Sequence, residues 1–395
     1  MVLEHLHGPR FMQLLPLMHF LRDVTAPHGW QRPPLRAAFM FDDPNLHLPS
    51  YGFFSYANVA KRALRDRFHV SLALVPLDAW SPHAATVQLM KTRHEQLSLV
   101  VHGNDHTRHE MARNWPASRY DMALAQCVQR MRRFETATGL HVGRVMVPPH
   151  EAVLDRVLER LAPFGFEAAC LSPWSLRRFN PGQVRPASFG LLPADTAANG
   201  LPVLGRDRLD EDCESAAVIN AWLGRPVVLV GHHALLARGL EVLSSVATKV
   251  NALGDVQWQP VTSMLSKNLL SWRDGATLHV QPHAMQVQLH VPESVSRLIV
   301  HAPPSISGAA ALGYTISGTA LGPNGQKTMV AQGQTLSVRG GQALVVSAVS
   351  AATVDLRTIA PRRTSMRALG RRLLCEARDR LTAIARPART DPGDY

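Results

Sequence analysis

The sequence predicts an α/β fold built on a parallel sheet of about seven strands, arranged as a barrel or a doubly wound sheet. Between residues 35 and 272, short apolar runs alternate with stretches of helical periodicity. The runs are continuously hydrophobic, as in strands that are covered on both faces. Strands that alternate with helices in this way favour parallel pairing. The candidate strands are residues 35–41, 69–77, 96–103, 142–149, 166–172, 201–205 and 226–233.

Helical patterns fill the segments between these strands. Before the first strand, an apolar stretch at residues 11–21 is broken by Pro16 and followed by Arg22. We interpret it as a helix of an N-terminal extension, residues 1–34, and not as a signal peptide. No run of 18 apolar residues predicts a membrane span. The predicted helices are residues 56–67, 84–94, 117–138, 152–162, 214–223 and 235–252.

The pattern changes after Trp272, where short segments alternate strictly between apolar and polar residues. Turn signals, such as the GPNG at residues 322–325, separate these segments. The pattern predicts an antiparallel β-sandwich over residues 273–360. It is expected to brace the barrel, because its strands are poor in the aromatic residues that stack on sugars.

A basic helix and tail, residues 361–395, close the chain. The predicted helix covers residues 364–385, with Met366, Leu373 and Ile384 among the apolar residues of one face and arginines on the others. We expect the apolar face to pack on the protein and the arginines to lie in water. The alternative is that the helix lies on an anionic membrane surface.

Composition narrows the class of protein. The chain has 395 residues, 46% of them hydrophobic, and a net charge of +12. Its four cysteines form no CxxC pair, which argues against a disulfide framework and against a cysteine zinc site. Free thiols of this kind predict a cytoplasmic protein. Peripheral contact with the inner face of the membrane is left open. The basic charge is compatible with an anionic partner, but no nucleic-acid-binding signature accompanies it.

Two adjacent carboxylates end the first strand, in the stretch FMFDDPNLH. Asp42 and Asp43 follow buried apolar residues, and Pro44 cannot continue a central strand. In parallel α/β folds, the carboxyl ends of the strands are where chemistry takes place. The structural alternative is that one Asp caps a turn and the other is solvated.

Three more strand ends carry histidines. The third strand ends in HGNDH, with His102 and His106 four residues apart, and other strands end at His150 and at His232. Parallel strands bring these ends to one rim. We therefore predict a metal site with Asp43, His102 and His106 as ligands, since three protein ligands leave room for a catalytic water. Asp105 is expected to orient one of the imidazoles.

These motifs resemble those of the polysaccharide deacetylase superfamily. FDDPN resembles its TFDDG motif, HGNDH its H-[ST]-x-x-H motif, VPPH its R-P-P-Y motif and VGHH its late L-x-H motif. The similarity covers roughly residues 35 to 270. It implies a distorted (β/α) barrel, often with seven strands, which agrees with the strand count.

The resemblance also implies roles. Asp43, His102 and His106 would bind a divalent metal, for which zinc is the default, and Asp42 would be the general base. His232 would be the general acid, whereas His233 is a less favoured choice that we place among the supporting residues.

The oxyanion and the substrate would lie against a small set of further residues. The backbone N–H of His150 would help to hold the oxyanion, and His150 itself replaces a Tyr of the motif. Asn45, Tyr51 and Trp174 are predicted to line the substrate pocket.

Some positions depart from the family motifs. Gly103 replaces a Ser or Thr that supports the loop, and Pro44 replaces a Gly. Val147 stands where the family has an Arg that positions the base. These departures indicate a divergent branch.

The predicted function is metal-dependent removal of an acyl group, most simply N-acetyl, from an amino sugar in a glycan or lipid-linked saccharide. Two alternatives remain open at this point. One is a non-catalytic glycan-binding protein on a remnant barrel, and the other is an amidase acting on a non-sugar substrate. The presence of Asp42 argues against the first, because metal binding needs only Asp43 and the histidines.

Overall fold

The computed structural model describes residues 15–25, 31–197, 199–210, 212–306, 313–318, 328–349, 353–360 and 362–385. Helices occupy most of the predicted segments, and one short helix, Pro173–Phe179, was not predicted. The helices are α1 (Leu15–Thr25), α2 (Tyr56–Asp66), α3 (Ala84–Thr92), α4 (Ala117–Thr138), α5 (Asp155–Leu161), α6 (Pro173–Phe179), α7 (Cys213–Leu223), α8 (Glu241–Asn251) and α9 (Met366–Ala385).

All seven predicted strands of the α/β region are present, and several short strands accompany them. The strands are β1 (Leu35–Asp42), β2 (Ser50–Tyr51), β3 (Phe54–Ser55), β4 (Val70–Leu74), β5 (Leu97–His102), β6 (Val142–Val147), β7 (Ala168–Cys170), β8 (Asp195–Thr196), β9 (Pro202–Leu204), β10 (Asp207–Arg208), β11 (Val227–Gly231), β12 (Val256–Trp258), β13 (Leu269–Asp274), β14 (Thr277–Pro282), β15 (Gln286–His290), β16 (Arg297–Val300), β17 (Tyr314–Gly318), β18 (Thr328–Val330), β19 (Thr335–Ser337) and β20 (Ala343–Ala348).

The fold is mixed α/β. Its large sheet contains parallel strands in the order β11-β1-β4-β5-β6-β7-β9. Strand β9 pairs with β7 at one edge, and β10, which follows after Gly205 and Arg206, pairs with β11 at the other edge. The segment 202–208 therefore contacts both edges of the sheet. As a result, the carboxyl ends of all these strands lie around one rim.

Both faces of the central strands are buried, which explains their continuous hydrophobicity. In β1, Phe39 and Phe41 belong to the core that packs against the helices. Ala38 and Met40 point to the opposite face, into a second core that continues into the C-terminal strands. Because side chains alternate along a strand, Asp42 follows Met40 onto this inner face.

The C-terminal strands form two four-stranded sheets, β13-β14-β16-β19 and β15-β20-β17-β18, whose apolar residues share one core. They are not purely antiparallel as predicted, because β14 and β16 pair in parallel. The first strand begins at Leu269, before the predicted boundary at residue 273. Near the end of the predicted sandwich lies a 3₁₀ turn, Leu356–Thr358, and not a strand. The predicted GPNG turn lies outside the described residues.

Helix α9 packs in the opposite orientation to the one predicted. Arg372 and Asp379 are buried, whereas Met366, Leu374 and Ile384 are 73–76% exposed. The expectation that the arginines stay in water is therefore wrong for Arg372, which ion-pairs with the carboxylates of the strand ends. Among the described helices, none is both long enough and apolar enough to cross a membrane.

Candidate metal centre

The polar strand ends meet in one cleft at the carboxyl rim of the sheet. Its wall includes Asp42 and Asp43 after β1, and the histidines at the ends of other strands. This gathering follows from parallel pairing, since parallel strands end on the same side. The predicted site residues that line the cleft are Asp42, Asp43, His102, His106, His150, Trp174 and His232.

Asp43, His102 and His106 form a group with the chemistry of a metal site. One potential ligand atom from each lies within 4.8 Å of the others. The Nε2 atom of His106 is 3.2 Å from Oδ1 of Asp43. One carboxylate and two imidazoles are the donor set that zinc accepts in open, catalytic sites.

The rings of the two histidines are held differently. Nδ1 of His102 lies 2.9 Å from the carbonyl oxygen of Val147, which orients the ring and leaves Nε2 for the site. Nδ1 of His106 is buried and has no hydrogen-bond partner among the described residues. With the carboxylate of Asp43, these two imidazoles form a donor set that fits a divalent cation.

The charges around this group favour cation binding. Burial lowers the pKa of His106 to about 3, so its ring is neutral and able to bind metal. Burial opposes ionisation of Asp43, but the guanidinium of Arg372 opposes this effect of burial, and the pKa of that carboxyl lies well below its usual range. The site therefore presents a carboxylate and a neutral imidazole at neutral pH.

Glu110 supports the HGNDH loop in place of the hydroxyl that the family motif supplies. Its buried carboxylate accepts hydrogen bonds from the backbone N–H groups of Asn104, His106 and Thr107, at 2.7 to 3.2 Å. Gly103 has a φ of 63°, and a Cβ there would lie 2.4 Å from a Glu110 oxygen. A Ser or Thr at position 103 would therefore be strained, because of the positive φ and the close approach of Glu110 and Pro149. Sequence reasoning missed Glu110.

Asp42 is bound by an arginine from a distant part of the chain. The guanidinium of Arg206 donates two hydrogen bonds to the two oxygens of Asp42, each at 2.9 Å. Its Nε donates to Glu151 at 3.0 Å. Burial opposes ionisation of Asp42, but Arg206 lowers the pKa below the ordinary value and keeps the carboxylate charged.

Arg206 is thus the residue that orients Asp42. It lies between β9 and β10, in the segment that contacts both edges of the sheet. The sequence signal was the RDR that follows a predicted strand, at the same rim as the other polar strand ends. Without an alignment or a structure, nothing distinguishes Arg206 from Arg208, which also lines the cleft.

Two residues predicted to line the substrate pocket lie elsewhere. Nδ2 of Asn45 donates to Glu376 at 2.9 Å, and the hydroxyl of Tyr51 donates to Asp379 at 3.1 Å. Both partners belong to α9, so Asn45 and Tyr51 hold that helix and do not line the cleft. These contacts could not be predicted from the sequence, because Asn45 and Tyr51 are far from α9 along the chain.

The two predicted supporting residues also have other partners. Asp105 ion-pairs with Arg130 at 2.7 Å. The imidazole of His102 is oriented by the backbone carbonyl of Val147, and not by Asp105, which was expected to orient one of the imidazoles. His233 lies 3.4 Å from Asp379 and stacks on Phe53. Asp105 therefore braces the loop, and His233 braces the contact with α9.

The remaining predicted residues face the cleft. His232 is close enough for its charge to lower the pKa of both Asp42 and Asp43. The ring of His150 lies 4.9 Å from that of His106, and its backbone has a φ of 56°. Trp174 is 53% exposed at the cleft wall. The cleft thus brings together the three potential metal ligands, the carboxylate of Asp42 that Arg206 holds, and the imidazole of His232.

Comparisons with known proteins give structural similarities at low sequence identity. No family model matches the chain, and no curated protein matches it. A structure described as a polysaccharide deacetylase from Mycobacterium smegmatis is 15% identical, with a TM-score of 0.41, and the match covers 59% of this chain and 90% of the other.

Two further solved structures are similar over the same part of the chain. A family 4 carbohydrate esterase from Streptomyces lividans, in complex with acetate, is 12% identical with a TM-score of 0.34, covering 57% of this chain and 92% of its own. A peptidoglycan deacetylase from Bacillus subtilis is 10% identical with a TM-score of 0.34, covering 59% and 90%. The function is argued below from the residues of this chain.

Proposed function

We propose that the chain is a divergent polysaccharide deacetylase, a metal-dependent hydrolase that removes an N-acetyl group from an amino sugar in a glycan or lipid-linked saccharide. The observation that carries the proposal is that the two adjacent carboxylates, Asp42 and Asp43, have different partners. Asp43 lies with His102 and His106 in the metal group. Asp42 lies outside that group and is held by Arg206.

The ligand set fits a divalent cation, with zinc as the default. When bound, such a cation would lower the pKa of a water and polarise the acyl oxygen. Arg372 keeps Asp43 charged and in place, through a contact of 2.8 Å to Oδ1. The carbonyl of Val147 fixes the ring of His102.

Asp42 is the general base in this proposal. A base must be ionised and must be held within reach of the proton that it removes. The two hydrogen bonds from Arg206 meet both requirements, because they keep the carboxylate charged and fix its plane. The Glu151 contact in turn fixes Arg206.

His232 is the general acid, and the cleft wall holds the rest of the substrate. Proton donation to the departing amine is assigned to His232, which lines the same cleft at a different strand end from Asp42. The backbone N–H of His150 is the candidate donor to the oxyanion that forms on the acyl carbon. Trp174 offers an exposed ring on which a sugar can stack.

The glycan-binding alternative does not explain the Asp42–Arg206 pair. Burying an ion pair costs desolvation free energy, and replacement by apolar residues is often neutral or stabilising. A protein that only binds glycan has no use for a second, fixed carboxylate beside the metal group. A catalyst needs one as its base.

Acetate release from N-acetylglucosamine oligosaccharides tests the proposal. Zinc-loaded wild type is expected to release acetate, and the Asp42→Asn variant is expected to retain zinc and release acetate at least about hundredfold more slowly. Zinc-loaded wild type that binds these oligosaccharides without releasing acetate would favour the binding protein. Acetate release by Asp42→Asn at the wild-type rate would remove Asp42 from the mechanism.

A further inference from the structure

Helix α9 buries its charged face. The side chains of Arg372, Glu376 and Asp379 are only 6–13% exposed. Arg372 bridges Asp78, at 2.6 Å, and Asp43. The helix is therefore attached to the protein by ion pairs and hydrogen bonds, with a small apolar contact of Ala368 and Leu369 against Val75 and Leu77. Its docking uses none of the large apolar residues on the outward face.

The solvent-facing side of the same helix is apolar. It carries five large side chains that are 44–76% exposed, and a helical wheel at 100° per residue places them within an arc of roughly 100°. A surface helix of a soluble protein normally has the reverse arrangement, with its apolar stripe facing the core. A strip of this kind marks an interaction surface. We call it the α9 outer face: Met366, Leu373, Leu374, Leu381 and Ile384.

The charge beside the α9 outer face has one sign. Both carboxylates of α9, Glu376 and Asp379, are turned inward and paired. Arg363, Arg367 and Arg378 are exposed. On the described part of α9, the outward surface therefore combines an apolar strip with arginines and has no acidic side chain.

An exposed tryptophan extends this surface beyond the helix. Trp80 is 63% exposed and lines a shallow groove together with Leu369 of α9 and with Arg133. Tryptophan beside arginine is typical of surfaces at the boundary between lipid headgroups and acyl chains. Arginine also attracts the anionic headgroups of such a surface.

We propose that the α9 outer face docks this chain on an anionic lipid surface, with the helix lying in the plane of the interface. A helix with an apolar face and basic flanks binds membranes in this way without crossing them. The same helix holds Asp43 through Arg372, so docking would place the rim of the metal site beside the lipid surface. The inference does not depend on the deacetylase proposal.

Sedimentation of the full chain with vesicles tests the inference. We expect the wild type to bind vesicles of phosphatidylcholine with phosphatidylglycerol, to bind phosphatidylcholine alone much more weakly, and to be released by salt. The Leu374→Gln/Leu381→Gln variant is expected to lose about tenfold or more of its partition, because two apolar side chains no longer enter the interface.

A matched control replaces two exposed apolar residues elsewhere. Leu64 and Val184 are 51% and 89% exposed and lie outside α9, so Leu64→Gln/Val184→Gln should bind vesicles like the wild type. Equal loss in both variants, or no binding of wild type to anionic vesicles, would overturn the inference. A wild-type dimer that the α9 variant converts to a monomer, without vesicle binding, would assign the surface to a second copy of the chain instead.

Discussion

Arg206 donates two hydrogen bonds to Asp42 from a segment 164 residues away along the chain. One residue ends the first strand of the sheet, and the other lies where the segment 202–208 passes between the two edges. The contact links the closure of the sheet to the carboxylate proposed as the base.

The first prediction concerns this pair. In Arg206→Lys, an ammonium cannot make both parallel hydrogen bonds, so Asp42 keeps a nearby charge but loses its fixed orientation. We expect kcat to fall by about hundredfold while zinc content stays unchanged. The matched control is Arg185→Lys, because Arg185 makes a similarly buried pair with Asp155 outside the cleft. An equal loss of kcat in the control would assign the effect to stability.

The second prediction separates the two adjacent carboxylates. Asp42→Asn should lower kcat by about 10²- to 10⁴-fold and leave zinc bound, since the amide cannot accept the proton. Asp43→Asn should lose zinc, since it removes the charged ligand. Elemental analysis and kcat on the same samples check both. Loss of zinc from Asp42→Asn would contradict the assignment.

The third prediction concerns Arg372, which reaches the proposed metal carboxylate from α9. Arg372→Met removes the contact to Oδ1 of Asp43. We expect zinc affinity to fall by about ten- to hundredfold, as it does when other supporting residues of metal sites are lost. Competition with a chelator measures the affinity. Arg367→Met, which changes an exposed arginine of the same helix, should leave it unchanged.

The fourth prediction is a pH dependence of the attachment of α9. Burial opposes ionisation of Glu376, but hydrogen bonds with His47 and Arg380 lower its pKa to about 2, from an ordinary 4.5. A carboxyl with a lowered folded-state pKa stabilises the folded state above its ordinary pKa, and that stability is lost as pH falls from about 4.5 to about 2. Burial lowers the pKa of His47, but Glu376 outweighs this and raises it above 6.5, so its contribution is present below 6.5 and lost as pH rises through the folded-state pKa.

Hydrogen exchange of the α9 amides measures this dependence. Protection should be greatest in mildly acidic solution and should fall at lower pH and, to a smaller extent, above neutrality. In Glu376→Gln, the protection of the α9 amides should change less with pH, both at low pH and above neutrality. Glu214→Gln removes an exposed partner of Lys249 and should keep the wild-type profile. An unchanged profile in Glu376→Gln would show that this pair does not hold the helix.

The strands and the metal group could be predicted from the sequence because their signals are local. An apolar run that ends in Asp42 and Asp43 predicts strand β1. His102 and His106 lie within one five-residue stretch, HGNDH, which is enough to indicate a ligand pair. Parallel pairing then brings the ends together without any further information.

The supporting contacts could not be predicted because they join distant parts of the chain. No local pattern marks Glu110, which is only 5% exposed and whose carboxylate holds the backbone of the HGNDH loop. Asn45 and Tyr51 follow the paired carboxylates closely, which favoured a place in the pocket. Their partners lie more than 320 residues further along.

The orientation of α9 was predicted wrongly for a physical reason. Hydrophobic periodicity assumes that the apolar face of a helix packs on the protein. At α9 the ion pairs of Arg372 and Asp379 with the strand-end loops decide the orientation, and the apolar face is left outside. No local pattern distinguishes these two arrangements.

Metal content tests the central claim most directly. Purified wild type is expected to contain about one equivalent of a divalent metal, or to take it up on reloading with zinc, and the His102→Ala/His106→Ala variant none. The control His279→Ala/His301→Ala removes an adjacent histidine pair outside the cleft and should keep the metal. No metal in wild type, even after reloading with zinc, would contradict the account and leave the carboxylates at the end of β1 with a structural role.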